Sequence, residues 1–132
     1  MRRKVLSIDS ASDAYEAGKV MLDEQGGYVL VENNHTVDGI ITWRDFVEGI
    51  LKWRAAPSEI NVRHIMSSPV HMIESERTLE EAVTLMSEKG IRRLPVLDDE
   101  KIIGIVFSSD AAKLLANGEI QQISSDEVIE IS

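Results

Sequence analysis

The chain has 132 residues, the size of one compact domain or of two small motifs that share a core, and is too short for a multidomain enzyme. Hydrophobic residues make up 43% and charged residues 28%, which excludes disordered, collagen-like and fibrous classes. The absence of cysteine excludes thiolate metal sites and redox pairs, and the net charge of −9 argues against broad nucleic-acid binding.

The first half of the sequence predicts a strand, a helix, two strands and a second helix. Asp13 followed by Glu16 is the pattern of a capped helix start, and small or apolar residues then recur at helical spacing. These residues are Ala14, Ala17 and Met21. Gly18 lies among them, so either the helix is weakened there or another backbone comes close. Strands are predicted over 28–31 and 37–42.

The second predicted helix of this half carries both tryptophans, Trp43 and Trp53. We interpret them as contacts for a partner subunit, with ordinary packing as the alternative. Its buried face is predicted to contain Phe46, Val47, Ile50 and Leu51. Pro57 and Ser58 are predicted to close the helix, and residues 58–68 form a connector.

The second half predicts the same order of elements. After an extended segment at 70–73, Thr78 and Glu81 form a capping pair, and Gly90 ends the helix. The apolar stripe of this helix contains Leu79, Ala82, Val83 and Met86. Strands over 94–97 and 101–107 predict an antiparallel hairpin. Ser108 or Ser109 is predicted to cap a last helix that ends near Gly118, and a polar tail from Asp126 either adds a strand or frays.

The two halves are related by a repeat with a constant offset of 65 residues. Gly39-Ile40-Ile41-Thr42-Trp43-Arg44-Asp45 aligns with Gly104-Ile105-Val106-Phe107-Ser108-Ser109-Asp110. The predicted fold class is therefore α/β (α+β), with two β-α-β-β-α motifs packed about a pseudo-twofold axis. The predicted divisions are 1–57 for the first motif, 58–68 for the connector and 69–132 for the second motif.

The second half closely resembles a cystathionine β-synthase (CBS) domain. The resemblance is carried by Ile65-Met66-Ser67-Ser68-Pro69-Val70, Thr78-Leu79-Glu80-Glu81-Ala82, Gly90-Ile91-Arg92-Arg93-Leu94-Pro95-Val96 and Gly104-Ile105-Val106 to Asp110. It extends over nearly the whole chain as a tandem pair, the arrangement called a Bateman module. The first copy has Gly27-Tyr28-Val29-Leu30-Val31 in place of the Arg-Arg-Leu-Pro-Val string.

The resemblance implies a regulatory module that binds AMP, ADP, ATP or S-adenosylmethionine in clefts between the repeats and forms a homodimer. It implies one complete cleft, in which the aspartate takes the ribose hydroxyls and the arginines face phosphate. The residues of this cleft are Ile40, Thr42, Asp45, Val70, Arg92 and Arg93. The opposite cleft would combine Asp110 with Leu6, Ser7, Gly27 and Tyr28. Because Phe107 replaces the hydroxyl residue there, we expect that cleft to bind weakly or stay empty.

The chemistry of these residue types agrees with that interpretation. A carboxylate accepts charge-assisted hydrogen bonds from vicinal hydroxyls, a helix N-terminus favours phosphate, and a guanidinium fork suits phosphate oxygens. Two simpler interpretations stay open: Thr42 and Asp45 are also the pattern of a helix N-cap, and Arg92 and Arg93 are also typical of a solvated strand. His35, His64 and His71 show no metal-ligand spacing.

These observations favour a regulatory adenine-nucleotide sensor that is not an enzyme and requires no cofactor. One alternative is a dimerisation adaptor with vestigial clefts. Another is a small enzyme, but the sequence shows no nucleophile beside a general base, which argues against it. Partners are expected to be an adenosyl ligand, a second copy and an unknown effector protein, without nucleic acid or membrane. A cytoplasmic location is expected because no apolar stretch of signal-peptide length follows the start. AMP, ADP, ATP, S-adenosylmethionine and NAD are all compatible with the sequence as ligands, and so are a parallel and an antiparallel dimer.

Overall fold

The computed structural model describes residues 4–116 and 122–123, and these form two compact units. One unit is Leu6–Val70, and the other contains the described residues from His71 onward together with Lys4 and Val5. Each unit contains one three-stranded sheet and two α-helices. The predicted α+β class and the β-α-β-β-α order of both motifs are therefore confirmed.

The two units have the same topology. The first contains β1 (Ser7–Asp9), α1 (Ala14–Glu24), β2 (Tyr28–Asn33), β3 (Thr36–Thr42) and α2 (Trp43–Trp53). The second contains β4 (Ile73–Glu74), α3 (Leu79–Lys89), β5 (Arg93–Asp98), β6 (Lys101–Phe107) and α4 (Ser108–Leu115). In each unit the first strand runs parallel to the second, and the second runs antiparallel to the third.

The 65-residue offset extends to fine details of the backbone. Each hairpin turns through two residues of positive φ, Asn34 and His35 in the first and Asp99 and Glu100 in the second. Two such residues form the tight turn whose twist matches that of the flanking strands. Each hairpin also has a register irregularity, between Val31 and Glu32 and at the corresponding place in the second unit. The duplicated sequence therefore specifies a duplicated backbone.

Of the four α-helices in the described part of the chain, three have a side-chain hydrogen bond at the N-terminus. Asp13 Oδ1 accepts the Glu16 N–H at 2.9 Å and Thr78 Oγ1 accepts the Glu81 N–H at 3.1 Å, which confirms Asp13 and Thr78 as the predicted N-caps. The Glu81 side chain binds Arg77 at 3.3 Å and does not complete a reciprocal pair. The third is at the start of α2. The prediction for α4 is wrong, because Ser108 is already inside the helix and Phe107 occupies the N-cap position without a side-chain cap bond. A cap needs a hydroxyl or carboxylate at that position, and Phe107 has neither.

The predicted apolar stripes of α1 and α3 are confirmed as core. Ala14, Ala17 and Met21 are fully buried in the first unit. In the second unit Leu79, Ala82 and Met86 are buried, and Val83 packs against the same cluster. Their equal spacing places each stripe on the side of the helix that faces its sheet.

The predicted buried face of α2 is wrong in part. Val47 is 53% exposed and Leu51 71% exposed, whereas Gly49 is buried. The hydrophobic pattern selected the wrong side of the helix. It counts only apolar side chains, whereas the contact is made at Gly49, against which Ile65 packs closely. Gly18 of α1 has a related explanation: a Cβ there would lie 2.8 Å from the Phe46 ring, so a side chain and not a backbone approaches it.

The end of α2 also differs from the prediction. The helix ends at Trp53 with Arg54 in the left-handed conformation, before Pro57. Pro57–Glu59 and Val62–His64 form two short 3₁₀ turns within the connector.

A residue from beyond the last helix of each motif completes each core. In the first unit Val62 is fully buried and its N–H donates to the Ser12 carbonyl at 3.0 Å. In the second unit Ile123 is fully buried and its N–H donates to the Arg77 carbonyl at 3.0 Å. Because Ser12 and Arg77 are 65 positions apart, Val62 of the connector and Ile123 perform the same structural function.

Two predictions lie outside the described residues, namely the helix end near Gly118 and the tail from Asp126. Within residues 4–116 and 122–123, the longest helices have 11 residues, and none is long and apolar enough to cross a membrane.

Candidate functional site

The candidate site begins where β3 passes into α2. Thr42 is the N-cap residue of α2, and Asp45 is the third residue of the helix. Asp45 Oδ2 accepts the Thr42 N–H at 2.9 Å and the Thr42 hydroxyl at 3.1 Å. The Asp45 N–H in turn donates to Thr42 Oγ1 at 3.4 Å. The capping interpretation of this pair is therefore correct, and it fixes the orientation of the carboxylate.

A third residue completes this group. The Ser67 hydroxyl donates to Asp45 Oδ1 at 2.7 Å, across 22 residues of sequence. Asp45 is half-buried and Ser67 is exposed, so the carboxylate lies at the surface of the unit with one oxygen bound to the helix start and the other to the connector. Short hydrogen bonds from hydroxyl to carboxylate are charge-assisted and among the stronger ones in proteins.

The connector reaches Asp45 because it pairs with β3. The Ser67 N–H donates to the Ile40 carbonyl at 2.9 Å, and the Ile40 N–H donates to the Ser67 carbonyl at 3.0 Å. Next to this bridge, a Cβ on Gly39 would collide with the Met66 side chain. The glycine of the repeated Gly-Ile-Ile-Thr string therefore allows the connector to lie against the strand.

The structure brings three of the predicted site residues together, namely Ile40, Thr42 and Asp45. Val70 is the last residue of the same unit and is partly buried. The remaining predicted residues belong to the other unit: Arg92 is exposed just before β5, Arg93 is the first residue of β5, and Asp110 lies in the first turn of α4.

The equivalent junction of the second unit is built from different side chains. Phe107 occupies the position of Thr42, and Asp110, at 9% exposure, is more buried than Asp45. The Arg93 guanidinium lies 5.8 Å from the centre of the Phe107 ring, a cation–π distance. Arg93 and Phe107 are partners in the β5–β6 register, as Tyr28 and Thr42 are in the β2–β3 register.

Four further residues were predicted for the weaker cleft, and all lie in the first unit. Leu6 is buried, Ser7 begins β1, and Gly27 has a φ of 72°. The Tyr28 hydroxyl accepts the Leu6 N–H at 3.1 Å, and Tyr28 is only 2% exposed. Tyr28 therefore links β2 to the segment just before β1 within its own unit.

The electrostatics around Asp45 come from the helix start and from one neighbouring ion pair. Free N–H groups and the positive end of the helix dipole favour an anion at the first turn of α2. Arg44 Nε contacts Glu48 Oε1 at 2.8 Å, and this hydrogen bond raises the pKa of Arg44 above its ordinary value. Arg44 is thus held along the helix surface by Glu48.

Ser67 is the residue of this candidate site that sequence reasoning missed. It was quoted only as part of the string before Pro69, with no function assigned to it. Its contact with Asp45 depends on the pairing of the connector with β3, for which no local pattern exists. The available indication was Gly39, since a glycine inside a strand marks the close approach of another segment.

A depression beside α3 offers poorer chemistry for a nucleotide than the start of α2. This open depression of about 470 Å³ lies along α3, and its lining is acidic, which repels phosphate. Its lining residues are Thr78, Glu80, Glu81, Thr84, Leu85 and Glu88. Within residues 4–116 and 122–123, no group of three histidine, aspartate or glutamate residues is arranged to hold a metal ion.

Comparison with known sequences agrees with the duplication. The family model for the CBS domain matches residues 1–52 and again 62–117. An uncharacterized protein of Methanopyrus kandleri is 40% identical over 111 residues, which is 83% of this chain and 57% of that protein. An uncharacterized protein of Methanocaldococcus jannaschii is 25% identical over 85% of this chain and 62% of its own length. The chain thus spans less than two thirds of the length of these relatives.

Solved structures agree with the same conclusion. A signal-transduction protein with CBS domains from Burkholderia ambifaria superimposes with a TM-score of 0.79 and 29% identity, covering 92% of this chain and 90% of that one. The CBS domain pair of protein MJ0100, solved with 5′-methylthioadenosine and S-adenosyl-L-methionine, has a TM-score of 0.74 and 22% identity, covering 88% and 91%. With two family matches on two units of one topology, the chain belongs to the CBS domain family and carries two CBS motifs in tandem.

Proposed function

We propose that this chain is a regulatory module that binds an adenosine-containing ligand through Asp45, and that it is not an enzyme. The observation that carries the proposal is the Asp45 carboxylate, which lies at a helix N-terminus with its orientation fixed by Thr42. A carboxylate held in this way, with an acceptor position left on Oδ1, is suited to accept a hydrogen bond from a ribose hydroxyl of a ligand. The N–H groups of the first turn of α2 are suited to a phosphate or carboxylate of the same ligand.

The proposed site contains the residues that the resemblance implied, with Asp45 as its centre. Thr42 orients Asp45, while Ile40 and Val70 provide apolar contacts for adenine and Arg92 and Arg93 the positive charge for phosphate. A second, weaker site is proposed around Asp110. We propose that this site is weaker because Phe107, whose ring lies at a cation–π distance from Arg93, stands where the first site has the hydroxyl of Thr42.

The ligand class is supported by the family and by one neighbour. Protein MJ0100 was solved with two adenosyl compounds bound to its CBS domain pair. We therefore propose AMP, ADP, ATP and S-adenosylmethionine as ligands, with no cofactor required. Regulation of an effector protein in the cytoplasm, where these compounds occur, completes the proposal. Any such regulation requires that the ligand bind one state of the module more tightly than another.

Thermal unfolding with a panel of AMP, ADP, ATP and S-adenosylmethionine tests the proposal. A ligand at 100 times its Kd stabilises the folded state by about 2.7 kcal/mol, which raises the Tm by several degrees at this chain length. Asp45→Ala is expected to abolish that shift and Asp110→Ala to retain most of it. Asp13→Ala is the matched control, because it removes an N-cap of the same unit without touching the site.

The outcomes separate the roles of Asp45. If Asp45→Ala and Asp13→Ala both lower the Tm of the free protein but only the first loses the ligand shift, Asp45 binds the ligand. If no ligand in the panel shifts the wild-type protein, or if Asp45→Ala keeps the full shift, the proposal is wrong.

A second candidate function, a dimerisation adaptor, is favoured by the apolar surface of the first unit. Trp43, Val47 and Leu51 lie on one side of α2 at four-residue spacing, and all three are exposed. We call these three residues the α2 stripe. Exposed apolar residues grouped in this way are typical of protein–protein contacts. We therefore propose that the module forms a homodimer through the α2 stripe, whether or not a ligand is bound.

Sedimentation equilibrium of Leu51→Lys tests the homodimer. Leu51 is 71% exposed, so its replacement leaves the core intact and is expected to weaken a dimer at least tenfold. Lys89→Leu, on the surface of α3 in the other unit, is the control. A wild-type monomer at all concentrations, or an unchanged dimer in Leu51→Lys, contradicts this assignment of the interface.

A further inference from the structure

Asp45 has little capacity left for a ligand in the structure described above. An ionised carboxylate has about four acceptor positions, two on each oxygen. Oδ2 already accepts both the N–H and the hydroxyl of Thr42, and Oδ1 accepts the hydroxyl of Ser67. One acceptor position therefore remains, on Oδ1. A ribose presents two neighbouring hydroxyls, so Asp45 alone cannot accept a hydrogen bond from both while its present contacts persist.

The Ser67 oxygen is the nearest additional acceptor. It lies 2.7 Å from Asp45 Oδ1, and its single proton is directed to that oxygen. Toward a ligand Ser67 Oγ consequently acts as an acceptor and not as a donor. Donation to a carboxylate also polarises the hydroxyl and strengthens its oxygen as an acceptor. Asp45 Oδ1 and Ser67 Oγ thus form a pair of adjacent acceptors at the surface of the unit.

The backbone holds Ser67 in this place independently of any ligand. Two hydrogen bonds with Ile40, of 2.9 and 3.0 Å, fix the main chain of Ser67 against β3. The Thr42 contacts fix Asp45 at the other side of the pair. An acceptor pair that is rigid before binding loses little conformational entropy when the ligand arrives.

We propose that Ser67 is a specificity-determining residue of the ligand site, which accepts one hydroxyl of a cis-diol on Ser67 Oγ while the adjacent hydroxyl donates to Asp45 Oδ1. The proposal rests on the proposed function, since it concerns the ribose of the same ligand. It follows that the site selects ribonucleotides over both 2′-deoxy and 3′-deoxy analogues. Thr42, whose hydroxyl is used for the helix cap, orients Asp45 and takes no direct part in this selection.

Calorimetric titration with AMP, 2′-deoxy-AMP and 3′-deoxy-AMP tests the proposal. Wild type is expected to bind AMP about three- to tenfold more tightly than either analogue, which is the strength of one hydrogen bond. Ser67→Ala is expected to bind AMP about three- to tenfold more weakly and to lose discrimination against one analogue only. Ser67→Thr retains a hydroxyl and is expected to restore both properties. Ser68→Ala, which alters the neighbouring exposed serine, is the matched control.

The ratio of the AMP and deoxy-AMP affinities distinguishes ligand contact from structural damage. A Ser67→Ala protein that is only less stable binds all three probes more weakly by one common factor, and this result overturns the proposal. Tighter AMP binding by Ser67→Ala also overturns it, since Ser67 would then compete with the ligand. If wild type binds AMP and Asp45→Asn does not, but Ser67→Ala is unchanged, the proposed function stands and the assignment of Ser67 fails. If wild type binds none of the three nucleotides, the proposed binding of AMP and the assignment of Ser67 both fail.

Discussion

The two CBS motifs have the same backbone and different chemistry at the same point. In the first motif the strand-to-helix junction has Thr42, whose hydroxyl caps α2 and holds Asp45. In the second, Phe107 occupies that position, no side chain caps α4, and the aromatic ring lies beside Arg93. A duplicated fold has thus kept its turns and strand register while the residues at the two junctions have become different.

The difference shows which parts of the repeat depend on shape and which on chemistry. The positive-φ turns, the register irregularities and the fully buried helix stripes occur in both motifs at an offset of 65. These features determine whether each motif folds. The junction side chains of the first motif add a few hydrogen bonds, each of which contributes about 1 kcal/mol, and the second motif folds without the Thr42 hydroxyl.

The largest expected effect tests the equivalence of the two cores. Met21→Ala and Met86→Ala each remove a buried side chain at equivalent positions, and each is expected to lower the free energy of unfolding by about 2–5 kcal/mol. Urea denaturation measures both. Leu22→Ala, at a residue 68% exposed, is the control, with an expected change below about 0.5 kcal/mol. If one of the two methionine variants loses less than about 1 kcal/mol in the free energy of unfolding, as a surface substitution does, and the other loses more, the two cores are not equivalent.

A smaller effect is expected when Gly18 of the first motif is replaced by valine, the residue at the equivalent position 83 of the second motif. Gly18→Val places a side chain where the Phe46 ring lies, and it is expected to cost about 1–3 kcal/mol. Phe46→Ala in the same chain relieves the collision, so the double variant is expected to cost less than the sum of the single changes. Chemical denaturation of the four proteins provides the comparison. If the losses of the two single variants add up to the loss of the double variant, the Phe46 ring is not the reason why position 18 requires glycine.

The cap at the first junction is expected to contribute less again. Thr42→Val retains the shape of the side chain and removes the hydroxyl, with an expected loss of about 1 kcal/mol in the free energy of unfolding. Ser108→Ala, which removes the hydroxyl next to the equivalent position Phe107, is the control in the second motif. Because Ser108 lies inside α4 and does not cap it, its expected cost is below about 0.5 kcal/mol. Equal losses in the two variants would contradict the contrast between the junctions.

The smallest expected effect concerns two carboxylates after β4. A hydrogen bond with Glu76, and the charge of Glu76, raise the pKa of Glu74, while the same hydrogen bond lowers the pKa of Glu76. The stabilisation linked to Glu74 is present at low pH and is lost as the pH rises through its raised pKa. That linked to Glu76 is lost as the pH falls through its lowered pKa.

Glu76→Gln is expected to bring the pKa of Glu74 down towards its ordinary value. Titration of the side-chain carboxyl carbon by NMR measures it, with Glu88→Gln on α3 as the control. An unchanged Glu74 titration in Glu76→Gln would show that the two carboxyls do not share a proton.

Local patterns predicted most of the fold. Asp13, Thr78 and Gly90 act within a few residues of their own positions, so capping rules were sufficient to predict the helix boundaries there. The errors arose where a distant contact decides the outcome. Val47 and Leu51 have the spacing of a buried stripe, but spacing does not tell whether a partner lies against it. Ser67 escaped notice for the same reason, since its bond to Asp45 crosses 22 residues.

The burial of Val62 and Ile123 has a consequence for where one motif can be cut from the other. Each apolar side chain comes from sequence beyond the last helix of its motif, and each lies fully buried under the same part of the repeat. A fragment that stops at Trp53, or a chain shortened to Ala116, would lack this buried side chain and lose part of a core. A boundary drawn for the first motif therefore has to include Val62, and proteolytic cleavage before Val62 would separate that side chain from the helices and strands that it packs with.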